Sequence, residues 1–182
     1  MTGRLFAVIG PSGAGKDTLL AGVCAAGGPH WARRVITRPQ ALGGEPYEGV
    51  TEAEFAARAA RGEFALSWQA HGLSYGIPMA ELAARAQGRD VVFNGSRGAL
   101  DQALAVFPDL IVVQITAPPE IIAQRLQARG REGALDIAKR LARDVAPLPR
   151  SVPVIEVCND ADPETGIARL RAALQTPDKA VR

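Results

Sequence analysis

The stretch Leu5-Phe6-Ala7-Val8-Ile9-Gly10-Pro11-Ser12-Gly13-Ala14-Gly15-Lys16-Asp17-Thr18-Leu19-Leu20 decides the architecture. Its first five residues are an uninterrupted apolar run, the pattern of a central parallel strand buried on both faces. Gly10, Gly15 and Lys16 then fit the Gly-x-x-x-x-Gly-Lys phosphate loop. Such a loop turns backbone N–H groups inward around an anion, and glycine tolerates the dihedrals and the close approach this requires. Gly10, Pro11, Ser12, Gly13, Ala14, Gly15 and Lys16 are therefore expected to cradle nucleotide phosphates. The helix that follows would point its positive end at the same anion, and Lys16 would reach the β- and γ-phosphates. The pattern ordinarily closes on Ser or Thr, whose hydroxyl binds Mg²⁺; Asp17 stands there and Thr18 follows. Asp17 either holds Mg²⁺ through water or caps the helix. Asp17 and Thr18 are the metal candidates.

Outward from this stretch, Asp17 to Cys24 reads as a helix, with Leu19, Leu20 and Val23 at helical spacing. Apolar runs recur at Asp90 to Phe93, Leu110 to Ile115 and Val152 to Val157, the last with Pro153 near its start, where a strand tolerates it. Helices are expected over Thr51 to Arg61, Pro78 to Gln87, Arg97 to Val106, Pro119 to Ala128, Ala134 to Val145 and Pro163 to Leu174. Thr51-x-x-Glu54 is a capping box, and Pro119 and Pro163 suit first-turn positions. Strands alternating with helices predict an α/β domain with a mostly parallel sheet. The tail from Thr176 is expected to fray.

The 182 residues fit one domain, and 47% hydrophobic with 22% charged residues is globular rather than disordered. No apolar run reaches the roughly 18 residues of a membrane span, and the start lacks an Ala-x-Ala cleavage site, so it reads as a strand rather than a signal peptide. A net charge of +2 is too small for a dedicated nucleic-acid or membrane binder. Arg greatly outnumbers Lys, which is confined to Lys16, Lys139 and Lys179, and Arg grips phosphate bidentately. Cys24 and Cys158 have no metal spacing and read as reduced, mostly buried thiols of a cytoplasmic protein. The oligomeric state is left open, a dimer included.

With these residues in place the chain resembles the guanylate kinase family from Arg4 to about Leu174. Gly10 to Leu20 resembles its phosphate loop, and Thr37-Arg38-Pro39 with Gly44-Glu45 resembles its acceptor-phosphate segment. Gly62-Glu63-Phe64, His71-Gly72 and Tyr75-Gly76 resemble the rest of its acceptor lobe. Arg125 to Arg131 and Arg140 fall at its lid arginines, and Asn159-Asp160 resembles its adenine-side loop. The resemblance implies a nucleoside-monophosphate-kinase-like three-layer fold with a parallel central sheet, an acceptor-binding lobe at about 33–80 and a lid at about 125–143, in a single P-loop kinase domain over residues 1–182. The departures lie at the base: Leu66 and Ile77 stand where that family reads guanine, and Tyr47-Glu48-Gly49-Val50-Thr51 replaces an Asp-Tyr pair. Guanine N–H groups left unpaired there would cost about 1–3 kcal/mol each. The acceptor is therefore expected to carry phosphate but no guanine.

Val35 to Pro39, Phe64 to Trp68, His71 to Gly76 and Asn94 to Arg97 are similar to a narrower family, the ribose 1,5-bisphosphate phosphokinases of bacterial phosphonate breakdown. That resemblance implies transfer of the ATP γ-phosphate to ribose 1,5-bisphosphate, giving 5-phosphoribosyl 1-diphosphate, with ATP and Mg²⁺ as cofactors. Lys16, Arg125, Arg129, Arg131 and Arg140 would act on the transferring group. Arg38, Glu45, Tyr75, Asn94, Ser96 and Arg97 would hold the acceptor, and Asn159 would lie by the nucleotide. Glu45 either orders Arg38 or meets an acceptor hydroxyl. Tyr75 and Trp68 also read as core aromatics, and the arginines have a rival reading as a solvated helix face. His71 reads as shaping a turn with Gly72, because an anionic acceptor needs no base. The alternatives are a guanylate kinase with an altered pocket, another small phospho-acceptor kinase, a kinase of an unphosphorylated metabolite, and a non-catalytic binding module.

Overall fold

The computed structural model describes residues 1–25, 27–39, 45–128 and 154–175. The expected helix over 134–145, most of the expected lid, Gly44 and the tail from Thr176 lie outside them, as do Arg129, Arg131 and Arg140.

The elements run β1 (Leu5–Ile9), α1 (Lys16–Ala25), β2 (His30–Trp31), β3 (Arg34–Ile36), β4 (Tyr47–Gly49), α2 (Glu52–Ala60), β5 (Phe64–Ala70), β6 (Leu73–Pro78), α3 (Ala83–Ala86), β7 (Val91–Asn94), α4 (Leu100–Val106), β8 (Ile111–Thr116), α5 (Pro119–Ala128), β9 (Val154–Cys158) and α6 (Pro163–Gln175). A five-stranded sheet has the order β2-β7-β1-β8-β9, and β2 with β7 and β8 with β9 pair in parallel. Every residue of β1 is buried, as its unbroken apolar run predicts. The chain divides into two compact units, Met1–Ala7 with Pro29–Leu110 and Val8–Gly28 with Ile111–Arg182.

In the second unit α1 lies against α6 at a close approach set by Gly22, where a Cβ would fall 2.2 Å from Ile167 Cδ1. Leu19, Leu20 and Val23 are the buried side chains of α1, as their spacing predicts. Helix α6 is capped by Asp162, whose Oδ1 accepts from Thr165 N at 2.8 Å and whose Oδ2 accepts from the Thr165 hydroxyl at 2.8 Å.

The first unit carries a second sheet, mixed and four-stranded, of order β4-β3-β6-β5. Periodicity did not announce it, because its strands are short and mix polar with apolar residues. The tight link from β5 to β6 is His71-Gly72, both at positive φ (53° and 74°), between the paired Ala70 and Leu73. Two such residues build the hairpin turn whose twist matches the strands, so the turn-forming reading of His71 holds. Register places Tyr47, Arg34, Ile36, Tyr75, Ile77, Leu66 and Trp68 on one face. A bulge between Phe64 and Leu66 moves Phe64 to the other face. There it stacks on Phe55 of α2 with centroids 4.7 Å apart and crosses Gly76.

Thr51 caps α2 by accepting from Glu54 N at 3.2 Å, as the capping box predicts. Arg58 of α2 joins Glu48 (2.7 Å) and Glu63 (2.9 Å), and the hydrogen bond it donates to Glu48 raises its already high pKa. One expectation needs correction. Pro78 ends β6, and the helix expected from it starts as a 3₁₀ turn at Met79–Leu82 before the single turn of α3. Cys24 and Cys158 are partly buried and outside any disulfide.

A methyl group at residue 76 would sit 2.6 Å from the Phe64 ring, which its stack on Phe55 holds in place. Gly76→Ala is expected to destabilise by about 1–3 kcal/mol, read as a lower urea midpoint at unchanged slope.

Candidate functional site

The glycine loop leaves β1 at Gly10, whose Cα lies so near the Ile115 carbonyl of β8 that a Cβ would be 2.2 Å from its oxygen. Gly13 and Gly15 have φ of +89° and +91°, the left-handed region where glycine is favoured. Ala14 N–H donates to the Pro11 carbonyl at 3.2 Å, and Leu19 N–H to the Gly15 carbonyl at 3.1 Å, which starts α1. The Lys16 ammonium donates to the carbonyls of Gly10 (2.6 Å) and Pro11 (2.9 Å), so the loop's own backbone aims it. Asp17 lies in the first turn of α1, and Thr18 beside it is exposed.

Two side chains from distant elements of the same unit reach the loop. Asn159 follows β9 and is buried to 4% exposure; its Nδ2 donates to the Ala14 carbonyl at 2.7 Å. Arg125 of α5 places Nη1 3.4 Å from the same oxygen. Ser12 and Pro11 complete the loop with partial exposure. Next to Asn159, Asp160 accepts from Arg169 Nη1 at 2.5 Å, and the same nitrogen donates to the Cys158 carbonyl at 2.7 Å. The hydrogen bond from Arg169 holds the Asp160 carboxyl below its ordinary range, and bonds from the Thr165 backbone and hydroxyl do the same for Asp162.

The first unit has its own polar centre, on the aromatic face of the mixed sheet. Glu45 is 8% exposed and is bound by Arg34, whose Nε donates to Oε2 at 3.0 Å and whose Nη2 donates to Oε1. Arg34 Nη1 also donates to the Asn94 carbonyl at 3.0 Å, and Asn94 Nδ2 lies 3.4 Å from Glu45 Oε2. The guanidinium sits over Tyr75 at 4.9 Å and near Trp68 at 5.8 Å, and these two rings stack at 5.4 Å. Glu45, Asn94 and Tyr75 are thus brought together around Arg34, which sequence reasoning passed over. Arg38 lies over the Tyr47 ring at 4.4 Å, so Glu45 orders Arg34 and not Arg38. The signal was present in the paired Arg33-Arg34 before an apolar run, but only register shows which one faces the rings. Ser96 and Arg97 follow β7 at the start of a 3₁₀ turn, where the Ser96 carbonyl accepts from Ala99 N–H at 3.0 Å. Leu66 and Ile77 are 3% and 1% exposed and face each other across β5 and β6.

No protein-family model matches the chain. It is 50% identical over 177 residues to the bifunctional ribose 1,5-bisphosphokinase-thymidine phosphorylase of Cupriavidus necator, a match covering 96% of this chain but only 30% of that protein. The ribose 1,5-bisphosphate phosphokinases of Ruegeria sp. and Rhizobium etli are each 45% identical over 176 residues, covering 95% and 94% of this chain and 92% and 89% of theirs. Among solved structures, a guanylate kinase from Anaplasma phagocytophilum superposes with a TM-score of 0.68 at 18% identity, over 96% of this chain and 85% of that one. A gluconokinase from Sinorhizobium meliloti 1021 gives 0.52 at 18% identity, over 95% and 91%. These likenesses identify the P-loop kinase fold. No helix among the described residues is long and apolar enough to cross a membrane.

Two predictions follow from the charge arrangement. Arg34→Met leaves Glu45 buried without its cation and is expected to cost about 3–5 kcal/mol in chemical denaturation. The double variant Arg34→Met/Glu45→Gln should recover most of that loss. The stabilisation from Asp160 and Asp162 is complete at neutral pH, since both carboxyls are depressed, and is lost as pH falls below about 4 through their lowered values. Thermal melts of Asp160→Asn and Asp162→Asn are expected to decline less than wild type between about pH 4 and 2.

Proposed function

Because this chain belongs to the ribose 1,5-bisphosphate phosphokinase family, we propose that it transfers the γ-phosphoryl group of ATP to the 1-phosphate of ribose 1,5-bisphosphate. The products are ADP and 5-phosphoribosyl 1-diphosphate. One observation carries the choice of acceptor: where a guanine-reading pocket needs acceptors, Leu66 and Ile77 are apolar and packed against each other. Beside them, the same sheet face holds a buried Arg34.

An acceptor phosphate oxygen attacks the γ-phosphorus, and the bond to the β,γ-bridging oxygen breaks. A phosphate monoester is already anionic near neutral pH, so no side chain needs to remove a proton. Catalysis is then positioning and charge neutralisation. Lys16 and the inward-facing backbone N–H groups of the loop, that of Gly15 among them, take the β- and γ-phosphates. Mg²⁺, when bound, would supply further neutralisation of the phosphate charge. Asp17 and Thr18 fit it, as hard oxygen donors at the head of α1, because Mg²⁺ usually takes one or two protein oxygens beside phosphate and water. Arg125, with Arg129, Arg131 and Arg140, meets the charge of the transferring group. Arg38, Tyr75, Asn94, Ser96 and Arg97 hold the acceptor, with Glu45 keeping Arg34 in place. The substrates and partly buried cysteines outside any disulfide suit the cytoplasm.

ADP release is to be followed with ribose 1,5-bisphosphate and, separately, with GMP. The sugar bisphosphate is expected to be preferred by on the order of 10²–10⁴ in kcat/KM, from unpaired guanine donors. Lys16→Ala should lower turnover by about 10²–10³. Faster turnover of GMP would sink the acceptor assignment, and an unaffected Lys16→Ala would sink the loop's role.

A further inference from the structure

The Asn159 side chain sits in a slot made by two glycines. A Cβ on Gly15 would lie 2.4 Å from its Nδ2, and a Cβ on Gly166 would lie 2.6 Å from its Oδ1. Gly166 is a buried residue inside α6, its N–H bonded to the Asp162 carbonyl at 3.1 Å. Glycine within a helix is unfavourable, and here its missing methyl group leaves room for an amide. The Asn159 backbone is fixed too, donating to the Thr116 carbonyl at the end of β8 at 2.7 Å. The orientation of the amide is set by chemistry, because a carbonyl only accepts and Nδ2 must face Ala14.

We propose that Asn159 is a positioning residue for the phosphate loop rather than a contact to the nucleotide base. A trans peptide directs its C=O and N–H oppositely. Holding the Ala14 carbonyl outward therefore turns the Gly15 N–H inward, toward the anion the loop encloses. The Arg125 guanidinium, 3.4 Å from the same oxygen, supports that orientation as a second donor. Fixing a donor before the anion arrives removes the reorganisation that binding would otherwise require. This inference rests on the donor half of the proposed function, triphosphate at the loop, and not on the identity of the acceptor.

The test is calorimetric binding of ATP and of inorganic tripolyphosphate, at fixed Mg²⁺, to wild type and Asn159→Ala. Tripolyphosphate has no base, so it reports on the loop alone. The expected result is that both ligands weaken by the same factor, about tenfold or more for one lost orienting bond. ATP weakened with tripolyphosphate unchanged would overturn the proposal in favour of a base contact. A lower melting temperature with both affinities unchanged would overturn it in favour of a purely structural role. Wild type binding neither ligand would sink the donor reading, and this inference with it, whatever acceptor assays show. Should Asn159→Ala fail to fold, Gly166→Ala carries the same test, since its methyl group would meet the amide Oδ1 at 2.6 Å and the core Leu19 Cδ2 at 2.7 Å, neither of them a ligand-facing group.

Discussion

A loop that gathers backbone N–H groups around an anion sends its carbonyls the other way, and each of those needs a donor. Here side chains supply donors, beside the Ala14 N–H on the Pro11 carbonyl and the Leu19 N–H on that of Gly15. Lys16 takes the carbonyls of Gly10 and Pro11, and Asn159 and Arg125 take that of Ala14. The rest of the second unit is arranged around this need. Gly10 is pressed against β8, α6 leaves a gap at Gly166, and the end of β9 is fixed by Arg169 through Asp160 and the Cys158 carbonyl. Ile115, Arg125 and Asn159 each lie more than a hundred residues along the chain from the loop residue they meet. The phosphate loop is thus local in sequence and non-local in what holds it.

The mixed sheet solves a different problem. A guanidinium and a carboxylate removed from water are stable only when each meets the other and their remaining hydrogen-bonding groups are filled. Arg34 and Glu45 pair, the Asn94 carbonyl and amide take further positions, and Tyr75 and Trp68 close the cation with aromatic faces. On the opposite face Phe64, Phe55 and Gly76 interlock, which needs the bulge that turns Phe64 away from Leu66. One strand therefore supplies both an apolar anchor toward α2 and an aromatic wall beside the buried ion pair.

Fold and site were legible to different depths. The continuous run of β1, the spacing of Leu19, Leu20 and Val23, the Thr51 cap and the proline start of α5 were all readable, because each depends on neighbours within a few residues. Glu45, Asn94 and Tyr75 were readable as members of a site through resemblance, though not as partners of Arg34. The mixed sheet escaped periodicity because its strands β3 and β4 are three residues long and draw their stability from pairing across the chain. The 3₁₀ turn at Met79–Leu82 escaped for a related reason: Pro78 closes a strand before a helix can start.

By itself the sequence determined the glycine loop with its lysine and the alternation of the buried apolar strands with helices, since these are written in spacing and in residue chemistry. Through resemblance it also pointed to Leu66 and Ile77 as apolar residues where the guanylate kinase family reads guanine. Only the tertiary structure decided that Glu45 belongs to Arg34 and not to Arg38, and that Asn159 and Arg125 share the Ala14 carbonyl. Register and side-chain direction choose between adjacent candidates, and both arise from long-range pairing that no short window of sequence contains.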